Sequence, residues 1–373
     1  MLNITGKAFY CAFLLLTITF VISCQKEAIQ KAAAPQEEIT NKSIPPQSLK
    51  DFTQVNLVGD NDEYSPARID PDMVNAWGIS FPASGPAWVS VEGRGKTLVL
   101  NGNGTAVGIS PVTIPPAGPV PSSHPTGQVN NPTTDFKLPN GNPARFIFAT
   151  AEGAVSGWNG GATAVKKVDA FPHAAFLGIA LANDGGNNFL YVANFAEAKI
   201  NVYDKNWSEV SKPFMDPDIP MGYAPFNIQA IDNKLYVMYA QVDPADGHEA
   251  EGPGLGYVDI FNPDGSLVKR FISRGQLNAP WGIAKAPTGF WGEGSENTDV
   301  LLIGNFGDGH INAYDKDGKF LGQLRQHGNP IVIEGLWGIA FAPATSTAIN
   351  RNWLYFAAGP DDEEHGLFGY ITK

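Results

Sequence analysis

Three stretches of this sequence concentrate the groups that do polar chemistry. Residues 241–254, QVDPADGHEAEGPG, carry Asp243, Asp246, His248, Glu249 and Glu251. Residues 307–310, GDGH, carry Asp308 and His310. Residues 359–366, GPDDEEHG, carry Asp361, Asp362, Glu363, Glu364 and His365. Imidazole nitrogens and carboxylate oxygens in one place can hold a divalent ion such as calcium or zinc, or act as acid/base pairs. Loops are polar in any case, so solvated turns are the plain alternative for each set. The Gly and Pro residues framing the first and third sets favour shaped loops. Thiol chemistry is excluded from the folded part, because the two cysteines are Cys11 and Cys24. No GxSxG, HExxH or phosphate-cradling Gly loop is present. Asp315-Lys316-Asp317-Gly318 begins like a calcium loop but lacks the distant Glu, and reads as a hairpin turn, as does 184–188.

What those residues can do depends on the elements that carry them. One unit recurs six times: an apolar run, a turn, then an alternating strand. Its copies are 87–101, 146–159, 189–204, 234–261 with an insertion, 300–315 and 353–371. A second unit precedes most of them: AWGIS (76–80), FLGIA (176–180), PFNIQA (225–230), PWGIA (280–284) and LWGIA (336–340), with a degenerate form at 127–136. Asp-Gly turns and outer strands follow, most clearly at 262–272 and 315–324. Each repeat therefore holds four strands, A to D, in roughly 50 residues, the size of a propeller blade. The sixth repeat ends after strand C. FTQVNLVG (52–59) precedes the first strand A and supplies the missing outer strand. The sequence predicts an all-β, six-bladed β-propeller over 51–373, its last blade closed by an N-terminal strand.

In such a blade the B–C turns and the D-to-A connections emerge on one face. His248, His310 and His365 fall in B–C turns of blades four to six; His124, His173 and His327 fall in D-to-A connections. All six histidines map to that face. The candidate ligand or metal set is Asp243, His248, Glu251, Asp308, His310, Asp361, Asp362 and His365.

The Trp-Gly-Ile strand starts and Leu-Tyr-Val hairpins resemble NHL-type propellers. DPDMVNAWGIS (70–80), GYAPFNIQAI (222–231), GNFGDGHINAYD (304–315) and AAGPDDEEHGLFG (357–369) are similar to stretches of one conserved, uncharacterised family of exported bacterial propeller proteins. Some of its members carry a PEP-type sorting tail, for which this chain has a lipobox instead. The resemblance runs from residue 70 to 369 and implies a fold and an exported location, without an activity. Six-bladed lactonases of the gluconolactonase type are the natural enzyme comparison. That resemblance puts metal ligands such as Asn just before the Gly of strand A. Here those positions hold Trp77, Leu177, Phe226, Trp281 and Trp337, which speaks against a lactonase-type central metal. Trp77, Phe226, Trp281 and Trp337 either pack near the axis or form an aromatic channel mouth that stacks on flat ligands such as sugars.

The first 23 residues read as a signal peptide: Lys7, then an apolar run from Ala8 to Ile22. Val21-Ile22-Ser23-Cys24 resembles a lipobox, with Cys24 the lipidated residue. Gln25-Lys26-Glu27 partly resembles the tag that sends some Bacteroidetes lipoproteins to the cell surface. Residues 24–50 read as a flexible tether. Removing 1–23 removes Lys7 and no acid, taking the net charge from −12 to −13. So acidic a surface does not attract nucleic acid. The expected protein is a monomeric outer-membrane or cell-surface lipoprotein. It would bind a glycan or protein partner through the His/acid face of blades four to six. A metal-dependent hydrolase or lyase on that face is the alternative.

Overall fold

The structure is a computed structural model that describes residues 49–292 and 299–373. The expected signal peptide, Cys24 and nearly all of the expected tether lie outside the described residues. Within them the chain is all-β, with two short 3-10 turns, at Glu92–Arg94 and Thr288–Trp291, as its helical segments. Six antiparallel sheets follow in chain order, each built A-B-C-D. Their innermost strands are Ala76–Ser80, Pro125–Asn130, Phe176–Asp184, Tyr223–Ile231, Pro280–Lys285 and Leu336–Ala340.

Closure follows the sequence expectation. Thr53–Gly59 pairs antiparallel with the last strand, Leu367–Thr372, from Thr53 opposite Thr372 to Gly59 opposite Leu367. Arg68–Ile69 adds a short parallel strand outside it, which the sequence pattern did not reveal.

Successive side chains of a strand point to opposite faces, and both faces of a blade are covered by neighbours. The B strands of blades one, two, five and six are accordingly buried throughout, as in AWVSV (87–91) and LYFAA (354–358). The alternation is visible in blade six. Leu354, Phe356 and Ala358 pack toward blade five, with Leu302 and Ala313. Tyr355 and Ala357 pack toward blade one, with Val89 and Leu98. Four further apolar clusters fill the remaining gaps between blades, and a seventh lies on the axis.

The start of every A strand breaks register against its B strand. The slips lie at Ala76/Ile79, Pro125/Gln128, Phe176/Gly178, Pro225/Asn227, Pro280/Gly282 and Leu336/Ile339. A bulge frees a residue from the ladder and re-aims its side chain. Here the freed residues include Trp77, Thr126, Leu177, Phe226, Trp281 and Trp337, five of which join the axial cluster. The next residue is Gly in five blades because neighbouring A strands touch there. A Cβ on Gly78 would sit 2.5 Å from the Thr126 carbonyl, and one on Gly338 2.5 Å from that of Trp77.

Candidate functional site

The axial rings form a plug. Trp77 stacks on Trp337 at 3.6 Å and 16°, and Phe306 stacks on the same indole at 4.0 Å and 25°. Trp281 and Phe226 meet Trp337 at 6.0 and 5.6 Å. All four expected channel aromatics are buried, Trp337 to 1% exposure. Their faces are spent on one another, so of the two readings offered by the sequence the geometry agrees with packing.

Above the plug, on the B–C face, a polar network begins at the plug itself. The Trp337 indole N–H donates to Asn75 Oδ1 at 3.1 Å. Asn75, 1% exposed, donates through Nδ2 to Glu92 Oε2 at 3.0 Å. The other Glu92 oxygen lies 2.5 Å from His124 Nδ1. The His124 backbone N–H donates to Glu152 Oε2. The hydrogen bond to Glu92 raises the His124 pKa above its ordinary value, against the effect of partial burial. Glu92 and Glu152 belong to the B–C turns of blades one and two, and His124 to the connection between them.

Carboxyl groups from the opposite side reach the same centre. Burial pushes Glu363 up to about 8, reinforced by the charges of Glu249 and Glu92 and opposed by a hydrogen bond with Asn75. Burial pushes Glu249 up to about 7, with Glu251 and Asp246 adding repulsion. Burial also raises Glu251, with Asp362 and Asp308 next. Turns of blades one, four, five and six thus lean over the axis. The turn that delivers Glu363 is strained. Asp361, Asp362 and Glu363 hold φ of 55°, 49° and 68°, a left-handed turn costing about 1–2 kcal/mol per residue. Such strain persists where the surroundings impose it, often at functional sites.

The sequence-derived set divides. Glu251, Asp308 and Asp362 share this centre electrostatically. Asp308 also accepts from the Asn305 amide at 3.1 Å, and the His310 ring stands 3.1 Å from it. Asp243 caps its own turn by accepting from the Ala245 N–H, and His248 is exposed. His365 turns outward: its Nδ1 lies 2.9 Å from Asp60, beside the closing strand. Asp361 stands 3.8 Å from the other ring nitrogen. Among the described residues no three His, Cys, Asp or Glu side chains group as a metal ion requires. His327 makes none of these contacts, and the base of its segment pairs with the B–C turn of blade five through His310 and Val332. His327 tips a small hairpin whose Arg325 carbonyl accepts from the Phe52 N–H and whose Gln326 side chain accepts from Gln54. That is the far end of the closing strand from Gly59.

Sequence reasoning passed over Asn75 and Glu92, left His124 out of the set, and named Glu249 and Glu363 without selecting them. A signal existed. Every B–C connection carries an acid, at differing distances from the end of its B strand: Glu92, Glu152, Glu197, Glu249, Asp308 and Glu363.

Fold and site define a six-bladed, NHL-like β-propeller with an acidic axial face. In sequence it is 36% identical over 347 residues to Uncharacterized protein R648 of Acanthamoeba polyphaga mimivirus, covering 86% of this chain and 80% of that protein. Uncharacterized protein L690 of the same virus is 32% identical, covering 86% of each. The chain belongs to the family of these proteins. No protein-family model matches it. Among solved structures it is similar to a catalytically inactive virginiamycin B lyase from Staphylococcus aureus with quinupristin, at TM-score 0.50 and 12% identity. That match covers 86% of this chain and 99% of the other. At that identity the likeness establishes the fold alone.

Proposed function

We propose that the protein is a binding propeller that captures a cationic group, a primary ammonium or guanidinium on a protein or an amino sugar, in its acidic axial bowl. The observation that carries this reading is the approach of Glu249 and Glu363 to each other, half-buried, with pKa values of about 7 and 8. The neighbours that act on them are further acids, so at neutral pH the bowl holds protons in place of counter-charges. A bound cation would release those protons and recover the Coulomb energy of the ionised carboxylates. The sequence-derived reading on blades four to six is thereby moved toward the axis and extended to blade one. We retain as part of the proposal a signal peptide at 1–23, lipid on Cys24 and display at the outer membrane or cell surface. No helix among the described residues is long and apolar enough to cross a membrane. The curated relatives are viral, so the bacterial origin rests on the lipobox resemblance.

Calorimetric titration with spermidine at physiological salt, in two buffers of different ionisation enthalpy, tests the proposal. It should give saturable binding with proton release, weakened at least tenfold by Glu249→Gln with Glu363→Gln. Binding indifferent to that double change would refute it. A second reading, acid/base hydrolysis or elimination, is favoured by one observation: Glu92 holds the His124 ring at 2.5 Å and also acts on Glu363, a carboxyl raised to about 8. That reading needs no metal.

A further inference from the structure

The axial plug closes only one end of the central channel. On its other side, where the A–B turns emerge, lies a cavity of about 410 Å³. Its walls are the second halves of the A strands of blades one, two, three, four and six, with Trp281 from blade five. The plug residues stand before the Gly of each A strand and the cavity residues follow it. Bowl and cavity are therefore back to back, separated by the rings and by the touching backbones at Gly78, Gly127, Gly282 and Gly338.

The wall chemistry differs from that of the bowl. None of the lining residues is charged. Ile79, Ile179, Leu181, Ile228 and Ile339 supply an aliphatic surface, and Phe81 and Phe341 lie at the mouth. Polar atoms nonetheless make up nearly half of the exposed wall. Asn227 and Gln128 are committed to backbone: the Asn227 amide donates to the Trp281 carbonyl at 2.7 Å, and that of Gln128 to the Gly78 carbonyl at 2.7 Å. Three polar side chains of the wall are uncommitted among the described residues, one of them the Trp281 indole N–H, which is buried without a partner. Gln229 is half-buried on the wall and makes no hydrogen bond there. The Ser80 hydroxyl, on a residue 8% exposed, has no partner. An uncharged pocket of a few hundred Å³ that joins aliphatic walls to a few uncommitted polar groups is a usual form of a small-molecule site.

We infer that this cavity is a second ligand site, which takes a neutral small molecule of mixed apolar and polar surface whose carbonyl or hydroxyl pairs with the Gln229 amide. A charged ligand is disfavoured, because no group in the wall would replace its hydration. The inference is independent of the acidic bowl, since no residue is shared.

Nile red, a neutral apolar fluorophore with a carbonyl, is the probe. Titration into the folded protein should show saturable fluorescence enhancement at one molecule per chain. Ala230→Phe, which fills the wall, should weaken it at least tenfold at unchanged melting temperature. Gln229→Leu keeps the volume and removes the amide, and should weaken it about fivefold, the loss of one hydrogen bond. Gln229→Leu decides the matter if Ala230→Phe does not fold. Glu363→Gln, in the bowl, should leave the dye affinity unchanged. Non-saturable binding, or saturable binding that neither wall variant weakens or that Glu363→Gln abolishes, would overturn the assignment.

Discussion

Replacing Glu363 by Gln should make the protein more stable, and increasingly so as pH rises. The carboxyl has a pKa of about 8 when folded and 4.5 ordinarily. At pH 4 it is protonated in both states, and wild type and variant differ little on its account. Between 4.5 and about 8 the unfolded chain ionises while the folded chain holds its proton. The unfolded state then binds fewer protons, so wild-type stability falls with pH. Above about 8 both states are ionised and the folded state bears the whole penalty. At 1.36 kcal/mol per pH unit the ceiling is about 5 kcal/mol. Glu363 is half-buried, and relaxation and solvent reduce this to roughly 2–3 kcal/mol. Gln keeps the shape and the hydrogen bond with Asn75 but cannot ionise. Urea unfolding at pH 4, 6, 7.5 and 9 measures the difference directly. Stability curves for Glu363→Gln and wild type that run parallel from pH 4 to 9 would refute the claim that this carboxyl is held protonated by burial.

Ring closure depends on the N-terminal strand, and Phe52 anchors its start: 1% exposed and stacked on Phe290 at 4.8 Å. Phe52→Ala should cost about 3–5 kcal/mol in chemical denaturation. Gly338→Ala would set a methyl 2.5 Å from the Trp77 carbonyl, where both partners are backbone. A clear drop in melting temperature is expected, and an unchanged value would mean the A strands are looser than described. The His365 pKa is raised by its hydrogen bond with Asp60. Its contribution is therefore present below about 6.5 and lost as pH rises through the raised value. His365→Ala should narrow its gap to wild type between pH 5.5 and 8, read by thermal unfolding. Cys24→Ala should abolish lipid labelling in cells, and persistent labelling would remove the lipoprotein proposal.

The fold was legible because a propeller writes itself into sequence as a countable repeat. Each blade must present an apolar run for its doubly covered B strand, and five of the six present a Gly where neighbouring A strands touch. The closing strand was legible for a related reason: a sixth repeat lacking strand D and an unassigned strand ahead of blade one fit only each other. The Arg68–Ile69 strand gave no such signal, since two exposed residues on an outer edge carry no periodicity.

The site was legible only in one of its two coordinates. Strand order fixes the face on which a loop emerges, and the histidines lie in the B–C turns and D-to-A connections that the rule assigns to them. It does not fix how far a side chain reaches toward the axis, which depends on backbone dihedrals within the loop. The turn 359–366 shows the consequence. Its three left-handed residues swing Glu363 inward to Asn75, while His365, two positions on, points outward to Asp60. Composition ranks His365 above Glu363 as a ligand; conformation reverses that order. The same holds between blades. Glu92 and His124 are 32 residues apart and belong to no shared motif, yet adjacent turns bring them to 2.5 Å. What joins them is the B–C turn as a repeated structural position. An acid within that connection in all six blades, at no fixed offset from the strand, is the pattern that accompanies an acidic axial centre, and it becomes visible only when the repeats are aligned by strand and not by residue type.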